Sequence, residues 1–537
     1  MNGDSRETGK LTPDGKPDPS VFSTEYNREG IRVGTAIGLM VRRPKRTKKP
    51  QILFRQFWGA DKRAEVLESL KSKKLVKQYE NVNPTKDNRF TFCPSDVAVD
   101  YYGWPNLPEI SAVDSAYGHM ETRGLSLISS DPKELEIRLR MFFDPAITND
   151  EMAKACPEIM AKYARYDGMT DRHAIQKKLS FSPEFIRQFY FKPFDIRFCY
   201  ADAQRPLWSE PSTSLSAQAW KGNSFIISRL AGVKSPEGTP FLFSNGEFER
   251  DVISGHARAF PIRLKATPKA KAKKKDDGNG EFGNILHEAM PAYDATKITA
   301  NLSPAAHAYL AKLGIKNPDD DADTAALIWM HALAIGYSPA YLAENADGIQ
   351  QDWPRIPLPE SKAVLLTSAE LGKQIAALLD KGTPLTGIDA GKVQPELVKI
   401  AVVTRLTKDT LNLSLTAGWG FEGKEGVTMP GKGKLATKIL DVGPDYKLPW
   451  FEFHDVYLNE SACWKDIPAP VWDYTIGGYQ VIKKWLSYRE HDLLGRPLTP
   501  DEAREVTHMA RRIAALILLQ PELDKNYQVV KAATVPL

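Results

Sequence analysis

The sequence predicts a mixed α+β fold, on three observations. Short runs of alternating apolar and polar residues, rich in aromatics, dominate the middle of the chain. Helical periodicity takes over at 301–345, at 368–379 and after 481. From about 395 to 475 the pattern is β-rich again, before the terminal helices. With 537 residues, 42% hydrophobic and 26% charged, the chain is an ordinary globular one with length for two to four domains.

Residues 1–18 are polar, with no apolar signal core, and read as disordered. Val33 to Val41 (VGTAIGLMV) and Gln51 to Phe57 (QILFRQF) read as two strands of a hairpin. Its tip is Arg42 to Lys49, RRPKRTKK, with six basic residues in eight. Asp61 to Leu70 follows as a short amphipathic helix. This strand–strand–helix unit is too small to bind a nucleotide and reads as the trailing edge of a larger sheet domain.

From 90 to 260 the reading is of short strands and turns. Gln188 to Tyr200 carries six aromatics in thirteen residues, broken by Pro193. Residues 264–284 form a Lys/Ala/Gly linker, with six lysines between Lys265 and Lys275. Ser303-Pro304 opens a helix, and Asp323 to Tyr337 makes another with Ala326, Ile328 and Leu333 available for burial. Asp352 to Pro359 must be extended, because three prolines in eight residues forbid a helix. Ser368 to Leu379 is helical and Gly382 stops it. Residues 395–475 are β-rich again.

The last segment pairs an aromatic turn with a basic helix. Tyr474 to Gln480 frames Gly477 and Gly478, which permit a tight turn at positive φ. Val481 to Arg489 reads as a helix with Val481, Trp485 and Tyr488 on one face and Lys483, Lys484 and Arg489 largely on others. Thr499, Pro500 and Glu502 form the capping box of a second helix.

Net charge is only +5, so its distribution matters more than its sum. Both basic runs suit phosphate contacts, and both also suit solvated loops. No apolar run spans a membrane, and a cytoplasmic protein is expected. Cys93, Cys156, Cys199 and Cys463 are far apart, which disfavours a zinc site or a disulfide framework. The nine histidines are scattered, so no metal site is expected. No glycine-rich cofactor loop, no Asn-Pro-Pro-Tyr-type loop and no Walker A loop occurs. Glu247, Glu249 and Asp251 beside Arg250 read as surface charge, the alternative being a nuclease built on paired acids. No catalytic residue is assigned.

Five stretches, in order, resemble the C-terminal part of Type ISP restriction–modification enzymes. VFSTEYNREGIRVGTAIGLMVRR with ILFRQFWGADKRAEVLESL resembles the last strands and helix of that family's methyltransferase domain. FYFKPFDIRFCYAD resembles a family segment at Tyr190, Phe191, Lys192, Pro193, Phe194, Asp195 and Arg197. GNSFIISRLAG, SPAYLAENADGIQQDWPRIPLP and VWDYTIGGYQVIKKWLSYR complete the series. Ala340 and Ala343 depart from the family pattern, and the Lys265–Lys275 run looks like an insertion.

The resemblance implies four parts: a disordered 1–18, a methyltransferase-like edge over 19–110, a target-recognition domain over 111–394 and a C-terminal specificity subdomain over 395–537. It implies a partner, double-stranded DNA, read in a system of phage defence. Lys192, Arg197, Asn223, Arg229, Tyr479, Lys483 and Lys484 are the DNA-contact candidates in the matched segments, and Arg42, Arg43, Lys45 and Arg46 those in the basic tip. For Arg197 the alternative is an internal ion pair with Asp195, and Arg355 reads equally as a structural clamp or a phosphate ligand. Trp485 is expected in the core. No cofactor is expected on this chain. S-adenosylmethionine belongs on a partner, an adenine-specific methyltransferase core carried by a separate polypeptide. The competing expectation is a complete but diverged S-adenosylmethionine-dependent DNA methyltransferase.

Overall fold

The computed structural model describes residues 12, 16–20, 22, 26, 36–42, 44, 51–71, 75–85, 90–94, 97–98, 100–121, 124, 126–163, 166–232, 237–265, 297–408, 410–423, 427–440 and 448–537. The fold is mixed, built from helices and several small antiparallel sheets, as expected.

The first unit differs from its expected form. Ile52–Phe54 pairs antiparallel with Glu80–Val82, and none of the described residues 36–41 of the apolar stretch before the basic tip pairs with it. Residues 36–42 have no regular structure, and Ile37, Leu39, Met40 and Val41 are 73–92% exposed. The helix Lys62–Lys71 forms where its pattern placed it. It buries Lys62, paired with Asp18 at 2.6 Å, while Leu67 and Leu70 stay exposed.

The central sheet has the strand order Leu242–Ser244, Phe225–Ser228, Arg258–Pro261, Ala116–Tyr117, all antiparallel. Phe225–Ser228 is buried throughout, so it reads as a continuous apolar run and not as an alternation. Helix Ala322–Gly336 is buried along nearly its whole length, Ile328 and Leu333 fully so, and Trp329 stacks on Phe260 at 5.6 Å. It lies against helix Lys362–Leu379 at a close approach, where a Cβ on Gly372 would sit 1.8 Å from the Met330 carbonyl oxygen. That second helix begins six residues before Ser368, because Val364, Leu365 and Leu366 continue its helical spacing. Ser303 caps Pro304–Lys312 as its sequence requires. The proline-rich stretch is extended, and Leu358–Pro359 pairs with Thr534–Val535.

A second apolar cluster gathers residues 127–208. Its centre is the aromatic hairpin Ile186–Lys192 and Asp195–Tyr200, turned at Phe194 with φ 61° and extended by Ile128–Ser129. Around it pack Pro132–Phe143, Asn149–Ala155 and Gly168–Gln176. Buried Arg172 donates to the carbonyls of Met141, Phe142 and Asp144 and so closes the end of the first of these helices.

The C-terminal sheet has the order Val402–Arg405, Ala462–Pro468, Glu452–Tyr457, Leu435–Ile439. The expected capping box of Thr499 and Glu502 starts the 33-residue helix Pro500–Ala532. Trp464 ties sheet to helix by donating from Nε1 to the Ala503 carbonyl at 3.0 Å. One apolar core runs from Ala98 to Val530 and holds both this part and the central sheet.

Candidate nucleic-acid interface

The glycine turn is a two-residue hairpin loop. Thr475–Ile476 pairs with Tyr479–Gln480, and Gly477 and Gly478 have φ of 54° and 80°. Positive φ at both centres is what a type I′ turn demands, and glycine adopts it without strain. The turn is held on two sides. Gly477 N–H donates to the Thr239 carbonyl at 2.7 Å and Gly478 N–H to that of Glu237 at 2.8 Å. On the other side Ser254 N–H donates to the Gly477 carbonyl at 2.8 Å. A Cβ on Gly477 would lie 2.4 Å from Ile253 Cβ. Buried Arg229 donates to the carbonyls of Ser254 and Gly477 and pairs with Glu237. Loop 250–258 and the turn are therefore one rigid surface.

Behind it lies a buried layer of cations and aromatics. Lys192 Nζ meets Glu249 at 2.6 Å and the Asp251 carbonyl at 2.8 Å, and faces the Tyr479 ring at 5.6 Å. Burial opposes its charge, but the Glu249 carboxylate outweighs it and moves the ammonium upward. Asp195 is shared by Arg197 at 2.8 Å and Arg489 at 2.8 Å. Burial opposes its ionisation, yet the two guanidiniums hold the carboxyl well below the usual range. Arg197 covers Phe191, whose ring meets Tyr488 edge-on at 5.1 Å. Lys484 donates to the Thr428 carbonyl at 3.0 Å and lies over Tyr488.

The expected contact residues divide by placement. Lys192, Arg197, Asn223, Arg229 and Lys484 are each at most 6% exposed. Asn223 donates to the Gln218 and Arg263 carbonyls, both at 2.9 Å. In the structure these donors serve internal acceptors, and Lys484 and Arg489, expected on a solvated face, are interior. The Asp195–Arg197 ion pair is present. Arg355 clamps the backbone by donating to the Trp104 carbonyl at 2.7 Å, and Trp485 is core. Tyr479 and Lys483 are half-buried at the rim of the turn. Burial pushes the Tyr479 phenol up to about 12, so it stays a neutral donor and acceptor. Arg42 is exposed, whereas Arg43, Lys45, Arg46 and most of the 264–284 linker lie outside the described residues.

Two acids expected at the surface are interior. Glu247 is 3% exposed with His119 Nε2 at 3.5 Å, and Glu249 is 8% exposed beside Lys192. Their partners, His119 and Lys192, lie more than fifty residues away in sequence, so the charged run alone does not show that it is interior. Three rim residues had no signal in the sequence: Tyr117, Arg250 and Arg258. They meet only through strand pairing across more than a hundred residues.

The sequence matches the model of the Type ISP C-terminal specificity domain over residues 115–516. The chain belongs to that family. Two solved structures share the fold of this Type ISP specificity chain. One is a nuclease-deletion mutant of the Type ISP restriction–modification enzyme LlaGI in complex with a DNA substrate mimic. It has TM-score 0.53 and 15% identity, over 94% of this chain and 41% of that one. The other is the ATP-dependent Type ISP enzyme LlaBIII bound to DNA, with TM-score 0.54 and 14% identity, over 95% of this chain and 30% of that one. The chain thus spans less than half the length of either enzyme. No curated protein matches its sequence.

Proposed function

We propose that this Type ISP specificity chain recognises a short sequence in double-stranded DNA and presents it to an adenine-specific methyltransferase core on a separate polypeptide, within a restriction–modification system acting against phage. The observation that carries the reading is the welded surface of loop 250–258 and turn 475–480, inside the family match, with Tyr479 and Lys483 at its rim. DNA recognition requires donors and cations held in a fixed register, since phosphate contacts position a protein and base contacts specify the sequence. The DNA complexes of LlaGI and LlaBIII, which share the fold, support the same partner class.

The exposed apolar side chains of the first unit support docking on a core. Ile37, Leu39, Met40, Val41, Leu67, Leu70, Phe90 and Phe92 are all more than half exposed, an unusual display for a unit that no described part of the chain covers. S-adenosylmethionine is assigned to that core, because the glycine-rich and Asn-Pro-Pro-Tyr-type loops that hold cofactor and flipped base do not occur in this sequence. Two measurements test the reading. The full chain should co-purify with the product of the adjacent upstream gene, and photocrosslinking with labelled S-adenosylmethionine should mark that product alone. Saturable labelling of this chain would replace the reading with that of a diverged methyltransferase.

A further inference from the structure

Tyr117 ends the central sheet and is 39% exposed. Arg258 is its register partner on the neighbouring strand, with the guanidinium 4.0 Å from the Tyr117 ring centroid and hydrogen-bonded to the phenol oxygen. Arg250 approaches the same ring at 5.1 Å. The two arginines stand at opposite ends of one loop, which closes through Ala257 N–H donating to the Arg250 carbonyl at 2.7 Å. On the other strand Arg250 N–H donates to the His119 carbonyl, also at 2.7 Å. Gly118 makes that approach possible: a Cβ there would lie 2.7 Å from the Arg250 nitrogen. The ring and both guanidiniums are therefore held on rigid backbone.

Charge separates this cluster from the other arginines of the site. Arg197 and Arg489 share Asp195, and Arg229 faces Glu237. Among the described residues no carboxylate pairs with Arg250 or Arg258, and Arg250 Nε is buried without a hydrogen-bond partner. The loop's own acid, Asp251, lies 3.2 Å from His256, and Glu249 is taken by Lys192. Two rim cations are thus preorganised with no carboxylate partner among the described residues, on the same loop that is welded to the turn carrying Tyr479. Holding such charges near each other in the free protein costs stability, and an anionic ligand would relieve it.

We infer that Arg250 and Arg258, splayed on the Tyr117 ring, form a clamp for the phosphate backbone of duplex DNA, which positions the target against the Tyr479 turn. This rests on the reading of the chain as a DNA-recognition protein. Guanidinium suits the role, because its planar fork binds phosphate oxygens in pairs while its face stays on an aromatic ring. As a backbone clamp it contributes affinity without sequence preference.

The test is a salt titration of binding between the full chain and a mixed-sequence duplex, for the native protein, R250Q/R258Q and R250K/R258K. The Gln pair should weaken binding by about tenfold or more and flatten the plot of log affinity against log salt by about two units, near one per lost phosphate contact. The Lys pair keeps both charges and should retain most of the slope. All three proteins should unfold at closely similar temperatures, which separates the effect from loss of fold. Native-like affinity and slope in the Gln pair would overturn the clamp and leave the DNA reading intact. A Lys pair as flat as the Gln pair would also overturn it. Absence of salt-dependent duplex binding by the native chain would remove the reading and the clamp together.

Discussion

Asp195 holds two of the protein's interior arginines, and its position decides what several other residues can do. It is fully buried between Arg197 and Arg489. Removing its charge would leave two guanidiniums in the core with no acid between them, a loss of about 3–5 kcal/mol for a broken buried pair. D195N is therefore expected to unfold at markedly lower denaturant concentration in an equilibrium titration at neutral pH. The pH dependence follows from the depressed carboxyl. Its stabilisation is fully present above the ordinary value of 3.8 and is lost as pH falls below it toward the lower folded value. D195N should lack that acid-dependent loss.

The rim and the interior separate between the helix Val481–Ser487 and the strand Ile186–Lys192. K483Q, at the rim, should lower the salt dependence of duplex binding by about one unit with little change in stability. K192Q should leave Glu249 buried and unpaired, and show first as lost stability. Calorimetry and binding on both variants check the division. The Asp195–Arg197 pair was legible because the two residues are neighbours on one strand. Arg489 was not, because it lies 294 residues away and only the folded chain brings it in.

At the scale of elements, the glycine turn is where local sequence and long-range contact meet. Paired glycines with flanking aromatics were enough to read a tight turn, but not the loop against which it packs. G477A adds a methyl 2.4 Å from Ile253 at a φ of +54°, so loop and turn must separate. It is expected to cost about 1–3 kcal/mol, as overpacking does, and to weaken DNA binding in proportion more than K483Q does. Thermal unfolding and binding titration together check this.

The paired helices Ala322–Gly336 and Lys362–Leu379 enclose His331, set between Ser368 Oγ at 2.7 Å and the Pro357 carbonyl at 2.8 Å. Burial pushes its imidazole down to about 4. The fold favours the neutral ring, so this stabilisation is present above 6.5 and is lost as pH falls toward 4, by about 3 kcal/mol in all. H331Q should flatten the stability profile in that window and leave the more acidic loss from Asp195 in place. Helix starts were readable from Ser303-Pro304 and from Thr499-Pro500-Asp501-Glu502, since capping is local chemistry. The first hairpin was misread because strand pairing is not local: Ile52–Phe54 pairs with Glu80–Val82, a short segment too polar to stand out in the sequence.

For the whole molecule, the main core from Ala98 to Val530 joins the central sheet to the C-terminal helix, and the second cluster at 127–208 is attached through the buried Asp195–Arg489 pair and the Phe191–Tyr488 contact. This arrangement holds the surface proposed to read DNA rigid while the first unit exposes the apolar side chains proposed to meet a catalytic core. The family was legible in the sequence because its motifs recur in order. The identity of the contact side chains was not, since most basic residues in those motifs turn inward to hold the scaffold. This Type ISP specificity chain is proposed to read a DNA sequence. The most direct measurement is selection of bound duplexes from a randomised pool by the full chain, followed by sequencing. Enrichment of one short asymmetric sequence is the predicted result, and a bound pool indistinguishable from the input would contradict the account.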